Sequence, residues 1–199
     1  MKKILPYFFI QFLVFSNFYS QGTTCATADP FCTGTTYNFP NNVGTTAPLG
    51  NNYDCLGSQP NPAWYYLEID QAGNLVFNID QTNAAGVGLD IDFILYGPYA
   101  NYTQAMSYCG NMGNGGPSGI NNVVDCSYSA SANEIATIPN AIPGEVYVIL
   151  LTNYSNQSGN INFSQTGGSG STNCTIVNCS ADAGTYALTH NGTSISPGT

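Results

Sequence analysis

Glu145-Val146-Tyr147-Val148-Ile149-Leu150-Leu151-Thr152 is an almost unbroken apolar run that follows the turn signal Pro143-Gly144. It is short and rich in β-branched and aromatic residues, so it reads as a central strand buried on both faces. The segments on either side of it alternate instead. Residues 63–69 put Ala63, Tyr65, Leu67 and Ile69 on one face. Residues 74–80 group Leu75, Phe77 and Ile79, and residues 89–96 group Leu89, Ile91, Phe93 and Leu95. Residues 159–165 carry Ile161 and Phe163, and weaker strands are expected at 36–39, 123–129 and 134–138. Turn signals at Ala72-Gly73, Gly86 and Gly97-Pro98 separate these runs, and residues 103–108 suit one helical turn. Some eight strands at this spacing predict an all-β, two-sheet, jelly-roll-like sandwich, with Trp64 in its core.

Composition narrows the function. Asn, Thr, Ser and Gly dominate, and the formal net charge is −9. The only basic residues besides His190 are Lys2 and Lys3, which precede the apolar run 4–15. That layout is a secretory signal peptide, expected over residues 1–20, with cleavage after Ser16, Ser20 or Gly22. The residues before Cys25 lack the pattern of a lipid-anchored precursor, and the apolar run is too short to span a membrane. Removal of the two lysines takes the charge to −11. A chain without Lys or Arg cannot neutralise phosphates, which excludes nucleic acid as a partner, and nothing in it favours membrane insertion. The protein is expected to be secreted or held at a cell surface.

Seven cysteines then remain: Cys25, Cys32, Cys55, Cys109, Cys126, Cys174 and Cys179. In an oxidising compartment they are disulfide formers, which would staple the sandwich. No Cys-x-x-Cys pair and no neighbouring His points to zinc. Cys109 and Cys126 flank the glycine-rich stretch 110–119, so a Cys109–Cys126 bridge is expected to close that loop, with Cys32–Cys55 second and Cys25–Cys174 third. The sandwich is assigned to residues 21–165 and a Gly/Ser-rich linker to 166–177. Residues 178–199 read as the start of a following β domain or a disordered tail, with a strand at 185–188.

Catalysis has few means here. His190 is the only histidine and lies beyond the linker, so no Ser-His or Cys-His pair fits inside the sandwich. A glycosidase needs two facing carboxylates, for which Glu68 and Glu145 are the candidates. The sharpest local signal is Leu89-Asp90-Ile91-Asp92-Phe93, because alternation places Asp90 and Asp92 on one face, roughly 6–7 Å apart. Two such carboxylates repel unless a cation or hydrogen-bond donors lie near, and calcium, with Asp54, Asp80 or Asp125 adding oxygens, is the candidate cofactor. The competing reading is a solvated acidic pair. Tyr96, Tyr99 and Tyr102 fall at strand edges and loops and are the candidate platform for a surface glycan or protein; Tyr padding the core is the alternative.

The runs Pro62-Ala63-Trp64-Tyr65-Tyr66-Leu67-Glu68-Ile69, Gly73 to Ile79, Asp90-Ile91-Asp92-Phe93-Ile94-Leu95-Tyr96-Gly97-Pro98, Cys126-Ser127-Tyr128-Ser129 and Gly144 to Tyr154 occur in an order that resembles a known module. It is the N-terminal β-sandwich of large secreted proteins of gliding and other Bacteroidetes, itself similar to the pre-peptidase C-terminal domains of secreted proteases. The resemblance covers residues 25–174. It implies a non-catalytic jelly roll followed by further β domains, serving as a binding or spacer module of a surface adhesin. The alternative is an accessory domain of a secreted hydrolase, of carbohydrate-binding or pre-peptidase type.

Overall fold

The computed structural model describes residues 22–115 and 122–173, together with the strand backbones of 188–190 and 193–195. The chain runs through β1 (Asp29–Pro30), β2 (Thr36–Pro40), β3 (Pro62–Gln71), β4 (Gly73–Thr82), β5 (Ile91–Tyr99), helix α1 (Tyr102–Ser107), β6 (Val123–Ser127), β7 (Asn133–Ala141), β8 (Val146–Asn153), β9 (Asn160–Gly167) and β10 (Ser171–Thr172). A two-stranded antiparallel ladder, β11 (Leu188–His190) with β12 (Thr193–Ile195), is separate from these. The expected strand at 185–188 otherwise falls outside the described residues, as does the signal segment 1–20.

Two sheets form, in the orders β1-β3-β8-β5-β6 and β2-β9-β4-β7, with β10 on the β3 edge. The eight long strands pair as β2 with β9, β3 with β8, β4 with β7 and β5 with β6. This is one long antiparallel hairpin wrapped over on itself, the jelly-roll arrangement expected from the sequence. All eight expected strands are present. Gly97-Pro98 is not a turn, however: β5 continues through it to Tyr99, with a register shift between Tyr96 and Tyr99. Gly97 sits at φ +149°, a backbone state open to glycine, so the chain kinks without leaving the sheet.

The inward row of each sheet fills the space between them. Tyr65, Leu67, Phe77, Phe93, Ile149 and Phe163 belong to this inter-sheet core. A second apolar cluster lies on the outer face of the larger sheet and includes Trp64, Tyr66, Ile94, Tyr96, Val148 and Leu150. The N-terminal segment, the loop around Leu56, helix α1 and Met112 cover it. This cover explains why every residue of β8 is buried. Asn101 caps α1 by accepting a hydrogen bond from the Gln104 N–H at 2.9 Å.

The disulfides fasten that cover and differ from the expected pairs. Cys25 bonds Cys109 and Cys55 bonds Cys126, while Cys32 is a half-buried free thiol. Neither Cys109–Cys126, nor Cys32–Cys55, nor Cys25–Cys174 forms. Cys109 follows α1, which packs over β5 and β8, and its bridge brings Cys25 of the N-terminal turn to that helix's end. Cys126 stands opposite Ile94, on the outer face, and points at the loop carrying Cys55. Each bridge therefore joins a cover segment to something distant in sequence, closing separations of 84 and 71 residues. Loops of that size stabilise a fold by roughly 4 kcal/mol each in the chain-entropy picture.

Residues 166–172 also depart from expectation. Residues 166–167 end β9 and residues 171–172 form β10, with only three residues between them, so this stretch is not a free linker. Thr172 is 6% exposed, and Thr33 and Thr172 each accept the other's backbone N–H at 2.8 Å. Small residues serve close approach here: a Cβ on Gly73 would lie 2.8 Å from the backbone nitrogen of Gly170. Composition signals flexibility, but these glycines let two backbones touch.

Two outcomes check this account. Phe93→Ala should destabilise the protein by about 3–5 kcal/mol in urea unfolding, while Leu49→Ala, at a side chain 93% exposed, should change it by less than about 0.5 kcal/mol. Peptic mapping of the unreduced protein should recover Cys25–Cys109 and Cys55–Cys126 peptides; a Cys109–Cys126 peptide would refute the pairing.

Candidate acidic site

Asp90 and Asp92 do share a place. Asp90 is tied to the turn after β8, its N–H donating to Ser155 Oγ at 2.8 Å. Asp92 lies in β5 opposite Thr152 of β8, on the outer face. Beyond the disulfide-held cover, this part of the face opens into a cavity of about 120 Å3 lined by Asp90, Asp92, Tyr128, Ser129, Ala130 and Tyr154. Asp92 is only 2% exposed, and its Oδ2 has no hydrogen-bond partner; neither has Asp90 Oδ1. The Tyr128 and Tyr154 rings meet edge to face at 5.5 Å and are 41% and 44% exposed.

Burial dominates the electrostatics. It pushes the Asp92 carboxyl up to about 7, helped by the negative charges of Asp90 and Glu134. Burial raises Asp90 as well, against a hydrogen bond at Ser131. Glu134 is also raised by burial, and its Oε1 is unpartnered. It stands in register with Ile79, on the row that faces the inter-sheet core, so the sheet separates it from Asp92. A hydrogen bond with Tyr128 holds the Tyr154 phenol above its ordinary value.

The other anticipated oxygens are elsewhere. Asp80 accepts from the amides of Asn78 and Asn133, Asp125 from the backbone of Thr137, and Asp54 is exposed on a distant loop. Among the described residues no three Asp, Glu, His or Cys side chains come together as a metal-binding group.

The aromatic expectation is largely overturned. Tyr96 and Tyr99 are 0% and 1% exposed and pad the outer cluster; Tyr96 Oη donates to the Asn52 carbonyl at 3.0 Å. Tyr102 is half-buried with its ring 4.7 Å from that of Tyr66. None of the three offers an open platform beside the acidic pair. The exposed pair is Tyr128 and Tyr154, outside the expected platform. Strand parity carried the signal: Tyr128 lies two residues beyond Cys126 and Tyr154 two beyond Thr152, both on the face of Asp92.

Glu68 and Glu145 do not face each other. Glu145 Oε2 accepts from Tyr147 Oη at 2.9 Å, and the Tyr147 ring lies in the inter-sheet core. Glu68 follows Tyr66 on the outer row. No helix among the described residues is long and apolar enough to cross a membrane.

No protein-family model and no curated protein matches the chain. Among solved structures it is similar to the pre-peptidase C-terminal domain of collagenase from Bacillus anthracis, at 17% identity over 70% of this chain and 94% of that one, with a TM-score of 0.40.

The raised Asp92 carboxyl gives a pH test. The folded protein holds this proton more tightly than the unfolded chain, whose value lies near 3.8. The resulting stability is complete below that value and is lost as pH rises towards about 7. Wild-type protein should therefore lose stability to urea between pH 4 and pH 7, roughly the window those two values set. Asp92→Asn, which cannot ionise, should lose markedly less. An unchanged slope in the variant would assign the loss to another carboxyl.

Proposed function

We propose that this chain is a non-catalytic extracellular binding or spacer module of a bacterial surface adhesin-like protein, with a surface glycan or protein as its partner. The observation that carries this reading is the character of the acidic pocket. Its carboxylates stand in and beside β5, share their cavity with the Tyr128 and Tyr154 side chains, and have no imidazole, amine or thiol paired to them. The two carboxylates that a glycosidase would need, Glu68 and Glu145, project to different sides of the sheet. Two long-range disulfides among the described residues suit an oxidising, extracellular setting. The sequence adds that the only lysines are Lys2 and Lys3 and the only histidine is His190. Phosphate binding therefore has almost no side chains to work with, and Asp92, the carboxyl that burial raises to about 7, has no hydroxyl, thiol or imidazole nucleophile hydrogen-bonded to it among the described residues.

Purified protein should bind an intact bacterial or host surface preparation saturably while leaving glycosides, esters and peptides unconverted. Hydrolysis of any of these that disappears in Glu68→Gln or Glu145→Gln would overturn the non-catalytic reading.

A further inference from the structure

Asp92 poses a problem that the fold does not solve. Its side chain is 98% buried by exposed area, one carboxylate oxygen has no partner, and Asp90 adds a second unpartnered oxygen to the same pocket. A buried carboxylate left unpaired is costly unless it is protonated or meets a cation. No cation can come from nearby, because outside Lys2 and Lys3 the chain has neither lysine nor arginine. The cavity is partly open, and two of its lining residues, Tyr128 and Tyr154, are 41% and 44% exposed, so a cation can approach it from another molecule.

The walls decide between two kinds of cation. Calcium takes six to eight oxygens, and the third acidic group, Glu134, lies across the sheet; no metal-binding trio exists among the described residues. An alkylammonium group needs less. It has three donors for carboxylate oxygens, and its methylene stem and charge both favour aromatic rings. Two buried, unpartnered carboxylate oxygens and two half-exposed tyrosine rings line the same cavity and suit such a group.

We propose that the pocket formed by Asp90, Asp92, Tyr128 and Tyr154 takes the side chain of a lysine presented by a partner protein. The ammonium hydrogen-bonds Asp92 Oδ2 and Asp90 Oδ1, and the stem packs against the rings. This deepens the binding reading above by naming the chemistry of its partner, and it rests on that reading.

The test titrates the full chain with Nα-acetyl-lysine-methylamide at constant ionic strength, following the amide resonances of Asp90, Ser129 and Ala130. The expected result is saturable shifts in the millimolar range that weaken at least tenfold in Asp92→Asn. The norleucine analogue, which has the stem without the charge, should give none. Tyr154→Ala, at a side chain 44% exposed, should also weaken binding severalfold. Equal shifts from the norleucine compound would overturn the proposal, and so would saturation by calcium chloride with no response to lysine. An unchanged affinity in Asp92→Asn would do the same. Binding to the surface preparation is read separately from these titrations, so failure of the lysine site and failure of the binding reading are distinguishable.

Discussion

Everything in this molecule follows from one strand having two apolar faces. From Val146 to Leu151 β8 carries valine, tyrosine, isoleucine and leucine in an unbroken run, and burying only its inner row would leave Val146, Val148 and Leu150 in water. At about 25 cal/mol per Å2, the exposure of several such side chains is a substantial fraction of a domain's net stability. A two-layer sandwich therefore does not suffice, and a third layer of irregular chain must lie over the outer face. That third layer has little regular hydrogen bonding of its own. The Cys25–Cys109 and Cys55–Cys126 bridges hold it down, and Tyr96 Oη anchors it through Asn52.

The same requirement separates what the sequence displayed from what it hid. Strand periodicity is local, so the eight strands, the inward rows and the doubly buried centre could be read directly. The cover could not. Its segments are loops, and the apolar content that marks them as a layer (Cys25, Ala47, Leu56, Met112) is scattered over nearly ninety positions. Without knowledge of the cover, the outward tyrosines of β5 looked exposed and nearby cysteines looked like partners. With it, Tyr96 and Tyr99 are interior residues, and each cysteine pairs across the layer. Likewise, the Gly/Ser run after β9 was legible as small residues but not as a contact, because the backbone it touches is almost a hundred residues earlier in the chain.

The acidic pair shows the converse. Asp90 and Asp92 were visible because alternation alone puts two like charges on one face. Their setting was not, since it is made by the place where the cover stops. Tyr128 and Tyr154 directly follow two other strands, β6 and β8, and they meet because those strands flank β5. The pocket is thus an edge effect of the third layer: the sheet's outer face is apolar where it is covered and acidic where it is not.

Both ends of the described sandwich are attached to one strand. Gly22 pairs with Trp64 of β3, and β10 pairs with Ile69 and Gln71 of the same strand. Five residues of extended chain, about 16 Å, separate these attachments. In a tethered chain under tension, force would pass in at Gly22 and the Cys25 staple, run along this short stretch, and leave at Thr172. The inter-sheet core would lie outside that load path. A pulled molecule would shed β10 and the contact of Thr33 with Thr172 before the sandwich itself bore strain, and the part that gives first would be its mechanical fuse.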